Sequence, residues 1–128
     1  KQIRIIPRFQ IDVNHFSPNK IDQFMRKKSK AKLFGKEVSK FIKKYRFDGC
    51  VLEMTPIFNW LATYINKFNK DPNNSTLKKE YNDRRKSLNG FIKLVSKTVK
   101  KGRKQFFLVM SPWHLKIINI RSFIKHVS

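Results

Sequence analysis

Apolar positions along the chain fall into blocks with two kinds of spacing. IRIIPRFQI (Ile3 to Ile11) is dense in β-branched and aromatic residues, which predicts a strand. Pro7 interrupts it and removes a ladder donor, which argues against a central position. A basic segment follows in which Ile21, Phe24 and Met25 have short helical spacing. Val38, Phe41, Ile42 and Tyr45 then recur at i, i+3, i+4 and i+7, one apolar stripe on a cationic helix. FDGCVLEMT (Phe47 to Thr55) reads as a second strand. Ile57, Trp60, Leu61, Tyr64, Ile65 and Phe68 mark a helix whose Trp60 and Tyr64 belong to a core-facing side. Asn69 to Ser75, with Pro, Asp and several Asn, is a loop. Leu88, Phe91, Ile92, Val95 and Val99 predict a further helix ending near Gly102, a suitable C-cap. Gln105 to Trp113 (QFFLVMSPW) is a third strand, apolar enough to be buried on both faces.

Strands alternating with amphipathic helices predict a parallel α/β sheet or barrel. At 128 residues the chain suffices for one domain with a real core. Three strands nevertheless leave parallel edges open on both sides, so an incomplete unit is expected, a piece of a longer product. In such folds sites form at the carboxyl ends of strands. Here those ends lie near Phe9 to Asp12, Glu53 to Pro56 and Ser111 to His114. Side chains alternate along a strand, so Val51, Glu53 and Thr55 share one face. Glu53 is costly to bury unless a partner or a ligand uses it. Asp48 has the opposite parity and suits a turn or cap. Cys50 faces the helical layer as a small hydrophobe.

Composition changes the picture in two ways. A single cysteine excludes an internal disulfide and any site built on several thiolates, and no apolar run is long enough to span a membrane. His15, His114 and His126 lie far apart, without carboxylates at ligand spacing, so no metal and no cofactor is expected. The formal charge of +22 favours polyanions, nucleic acid or acidic polysaccharide among them. Lys outnumbers Arg 22 to 8, however, and Lys, Asn, Ile and Phe dominate while Ala, Gly and Pro are scarce. A/T-rich coding accounts for that bias without any selected partner. RKKSKAK and KKGRK are the densest basic clusters, the second at a predicted helix end, where cations are favoured anyway.

Phe47-Asp48-Gly49 and the alternating positions after it resemble the strand-four signature of glycoside hydrolase family 18, Asp-Gly-x-Asp-x-Asp-x-Glu. Laid on this chain, the three acids fall at Val51, Glu53 and Thr55. With IRIIPRF, KEVSKFIKKYRFDG and FFLVMSP around it, the pattern is similar to the chitinase domain-containing protein 1 group of chitinase-like proteins, over about Ile3 to Pro112. The resemblance implies a partial (β/α)8 TIM barrel carrying about strands three to five, and a secreted or lysosomal protein. The family's acid/base Glu would be Thr55, which offers no comparable proton at neutral pH, so the resemblance implies no hydrolysis and no catalytic residue here. The family's later Met-x-Tyr-Asp element has no counterpart in these residues.

What remains is binding of chitin-like oligosaccharide or another glycan, through stacked aromatics and a few polar groups. The candidates are Arg8, Glu53, Thr55, Trp113 and His114. Each has a structural alternative: Arg8 pairing with Glu53, Trp113 in the core, His114 as a satisfied histidine. Asn73 and Asn74 head two overlapping N-x-[ST] sequons in the predicted loop and are glycosylation candidates. A small basic module that binds polyanion or nucleic acid is the rival reading. It rests on charge, without a recognisable nucleic-acid-binding motif.

Overall fold

The structure, a computed structural model, describes residues 3–11 and 17–117. His15 and His126 lie outside the described residues. The elements are β1 (Arg8–Gln10), α1 (Pro18–Arg26), α2 (Lys28–Lys44), β2 (Gly49–Glu53), α3 (Thr55–Lys70), α4 (Ser75–Lys100), β3 (Gln105–Val109) and α5 (Pro112–Ile117). The fold is mixed α/β, mostly helical, with a three-stranded parallel sheet in the order β1-β2-β3.

Helix boundaries follow local chemistry. The Ser17 hydroxyl accepts the Lys20 N–H at 3.3 Å, and Pro18 opens α1, where its missing N–H costs nothing. At α4 the Asn74 side-chain Oδ1 accepts the N–H groups of Thr76 and Leu77 at 3.0 and 3.2 Å. Asn74→Ala leaves both donors unsatisfied and should cost about 1 kcal/mol, read as a lower urea midpoint at unchanged slope. Helix α2 ends where the Phe47 N–H returns to the Ile42 carbonyl at 2.9 Å, with Arg46 in the left-handed region at φ 56°.

The alternation in β2 decides which face is covered. Cys50 and Leu52 are buried with Phe106 against the helices, whereas Val51 and Glu53 are half-buried on the opposite side. Phe107 and Val109 share that second side and are 46% and 40% exposed. The expectation that β3 is buried on both faces is therefore corrected: the helical layer covers one. The core includes Ile42, Leu52, Ile57, Phe58, Leu61, Leu88, Ile92 and Val95. Trp60 belongs to it, with its indole edge-on to Tyr64 at 6.0 Å. Burial pushes the Cys50 thiol up to about 11, which keeps it protonated and unreactive at neutral pH.

Asp48 has the structural role its parity suggests. Its Oδ2 accepts the Ile5 N–H at 2.7 Å, and its backbone N–H donates to the Ile5 carbonyl at 2.9 Å. The strand expected over Ile3 to Ile11 shortens to the three residues that follow the Pro7 interruption, at the sheet's edge. The Pro7 carbonyl still accepts the Val51 N–H at 2.9 Å, so the chain stays alongside β2.

A buried ion pair ties α1 to α4. Arg84, 9% exposed, places Nε 2.8 Å from Asp22 Oδ1, donates from Nη1 to the Glu80 carbonyl and lies 3.9 Å over the Tyr64 ring. Charge, two hydrogen bonds from the terminal nitrogens and a ring face thus surround the cation, as burial of an arginine demands, while Nε faces Asp22 Oδ1 without hydrogen-bond alignment.

Candidate functional site

The uncovered side of the sheet is built from two cross-strand rows. Parallel register places Arg8, Val51 and Phe107 in one, and Gln10, Glu53 and Val109 in the next, towards the carboxyl ends. Residues in register across parallel strands point to the same side, so the six form one surface with apolar and polar members. Gln10 joins it without having been legible as a candidate.

Arg8 and Glu53 meet there. Arg8 Nη1 stands 3.1 Å from Glu53 Oε2, with the Arg8 side chain 63% exposed and that of Glu53 20% exposed. Oε2 itself is buried and has no aligned hydrogen-bond donor, so the contact is a charge pairing without a directed bond. With the guanidinium so exposed, the pair contributes no more than about 1 kcal/mol. The surface thus holds a carboxylate whose bonding capacity is incompletely used, with a largely solvent-exposed cation beside it.

Thr55 departs from its expected place. The strand stops at Glu53, Met54 occupies the N-cap position, and Thr55 is the first residue of α3. Pro56 is the cause: it has no donor for the ladder and its fixed φ suits a helix start. Strand alternation therefore does not extend to Thr55, and the assignment of Val51, Glu53 and Thr55 to one strand face is corrected to Val51 and Glu53.

After β3 the chain turns into α5, and two candidates separate. Trp113 is 48% exposed and its ring lies 5.2 Å from that of His114. It is an open aromatic surface, not the core residue of the alternative reading. His114 is 1% exposed and engaged at both nitrogens: Nε2 is 2.9 Å from Asn59 Oδ1, and Nδ1 is 2.9 Å from Ser111 Oγ. The Ser111 N–H also points to Nδ1 at 3.4 Å, which makes Nδ1 the acceptor and Nε2–H the donor to Asn59. The His114 N–H returns to Ser111 Oγ at 3.3 Å, a reciprocal capping arrangement in which histidine replaces the usual Glu. His114 is consequently a lock that fixes the β3–α5 turn and the base of Trp113, with no ring atom left for a ligand. The Ser-x-x-His spacing was visible in the sequence; Asn59 was not signalled.

Desolvation lowers the His114 pKa below its ordinary 6.5. The unfolded chain then binds a proton more readily than the folded one as pH falls below that value. Stability should be level above about pH 6.5 and decline below it towards the lower folded value, measured as urea midpoints through that window. A His114→Gln variant should lose that part of the slope.

The sequons also separate. Asn73 is exposed in the turn between α3 and α4, whereas Asn74 caps α4 and its Nδ2 donates to Asp71 Oδ2 at 3.2 Å. A glycan on Asn74 would have to displace that bond; Asn73 has no such cost. Among the described residues no three His, Cys, Asp or Glu side chains are grouped to hold a metal ion, and no helix is long and apolar enough to cross a membrane. No family model, curated protein or solved structure matches the chain.

Proposed function

We propose that this chain is part of a chitinase-like (β/α) barrel, about strands three to five, that binds saccharide without hydrolysing it. One observation carries the reading: three parallel strands lie in sequence order with their helices on one side, leaving the Val51–Glu53 side uncovered. Sequential order with helices on a single face is the winding of a barrel, whose interior would be that open side; a doubly wound sheet reverses order and covers both. Exposed Phe41 and Tyr45, on the α2 side that flanks β1, are placed where a preceding helix would pack.

In this reading Glu53 and Arg8 supply polar contacts to sugar hydroxyls, and Trp113 stacks on a pyranose face. His114 positions Trp113, and Thr55, at the family's acid/base position, cannot protonate a leaving oxygen. Passage through the secretory route is part of the proposal by resemblance, with Asn73 as the more accessible glycan acceptor. The rival reading, a polyanion- or nucleic-acid-binding module, draws on a groove between the ends of α2 and α4 that Lys36, Lys40, Lys43, Lys101 and Lys104 line.

Calorimetric titration with a neutral chito-oligosaccharide and with single-stranded RNA, each at low and high salt, separates the two. Saccharide binding that barely changes with salt, weakened by Trp113→Ala, is expected. Salt-sensitive RNA binding with no heat from the sugar would favour the rival. Release of reducing sugar that Glu53→Gln abolishes would refute the non-catalytic part.

A further inference from the structure

At the opposite, amino-terminal end of the sheet lies a cleft of about 560 Å³ lined by Arg4, Arg46, Arg103, Asp48 and Gln105, with Ile3 and Ile5 on one wall. We propose that this cleft binds a doubly charged oxyanion, phosphate or sulfate, either free or as a monoester. Three arginines and a single carboxylate residue line it, and Asp48 is already committed to the Ile5 N–H. Among the described residues none of the three arginines has an ion-pair partner or a side-chain hydrogen bond.

Residue choice argues against accident. Coding bias explains the abundance of lysine but not why three of the chain's eight arginines surround one cleft. The planar fork of arginine suits two oxygens of a tetrahedral anion, which the point charge of lysine does not. Arg46 and Arg103, moreover, hold φ angles of 56° and 64°, the left-handed region that glycine fills most easily after a helix. Gly102, at φ 76°, shows what the usual choice looks like one residue before Arg103. Both arginines follow a helix and precede a strand, so two equivalent turns each hold a left-handed backbone at an arginine that lines the same cleft. The partial negative charge of two helix ends opposes an anion there, but amounts to about half a charge each against three full cations.

The two left-handed positions make the test clean, because glycine removes the guanidinium while relieving the backbone. Sodium phosphate and sodium sulfate are titrated into the full chain by calorimetry at constant ionic strength in chloride. Glucose 6-phosphate and glucosamine 6-sulfate then distinguish free ion from monoester. A single saturable site is expected for at least one of the four. Arg46→Gly and Arg103→Gly should each weaken it about tenfold, the loss of one charge-assisted contact. Their thermal midpoints should be unchanged or higher. Lys93→Ala, an exposed cation elsewhere on α4, should change affinity by less than about twofold at that ionic strength. Absence of saturable binding overturns the proposal. So does an equal loss from Lys93→Ala, which would assign the effect to overall charge.

Discussion

Gly49→Ala should destabilise the protein by about 3 kcal/mol or more, and lower the urea midpoint accordingly. Gly49 opens β2 directly opposite Gln105 of β3. A Cβ there would run into the Gln105 carbonyl oxygen and stand 2.7 Å from its carbonyl carbon and its nitrogen. The obstacle is backbone, so no rotamer relieves it; the strands must separate. Against a total of about 5–15 kcal/mol for a domain, that is a large fraction. Gly90 provides the opposite case. It lies inside α4, a Cβ there meets nothing within 4 Å, and Gly90→Ala should stabilise by about 0.5–1 kcal/mol. Equal and small effects at the two glycines would mean that β3 does not pack against β2 in this register. The glycine of the Phe-Asp-Gly motif is thus held by sheet packing, a reason independent of any chemistry at Glu53.

The second large effect is expected at Phe91. It is 2% exposed on α4, and its ring lies 5.7 Å from both Phe24 of α1 and Phe34 of α2. Phe91→Ala removes the group that all three helices share and leaves a cavity that neighbouring backbone cannot fill. A loss of about 3–5 kcal/mol is expected, measured by denaturant unfolding at unchanged slope. Phe91→Leu retains most of the volume and should recover part of it. An alanine variant within about 1 kcal/mol of the parent would show that α1 and α2 are held elsewhere.

Local spacing carried much of this fold into the sequence, and its limits are physical. Period-2 alternation placed Cys50 against the helices and Glu53 on the other side, and the 3.6-residue stripes placed Ile42, Leu61 and Val95 in the core. The Arg8–Glu53 pairing was also foreseeable, since a strand carboxylate among apolar neighbours needs a cation. Alternation gave no warning that Pro56 would end β2 two residues early. Apolar content alone also misjudged β3, because hydrophobic side chains record what a strand is suited to touch, and Phe107 and Val109 stay 46% and 40% exposed on the face that no described helix covers. Other contacts between distant residues had no local signal. Arg84 and Asp22 are 62 positions apart, and His114 and Asn59 are 55 apart. Trp113 and His114 are neighbours in sequence yet meet opposite fates, since a helix start turns one outward and the other in.

The saccharide-binding reading depends on the open side of the sheet. The measurement that tests it most directly is amide NMR of the full chain titrated with a neutral chito-oligosaccharide. The expected result is saturable shifts centred on Gln10, Val51, Glu53, Val109 and Trp113, persisting at high salt. Shifts confined to the lysine-lined groove between α2 and α4, or none at saturating sugar, would contradict it.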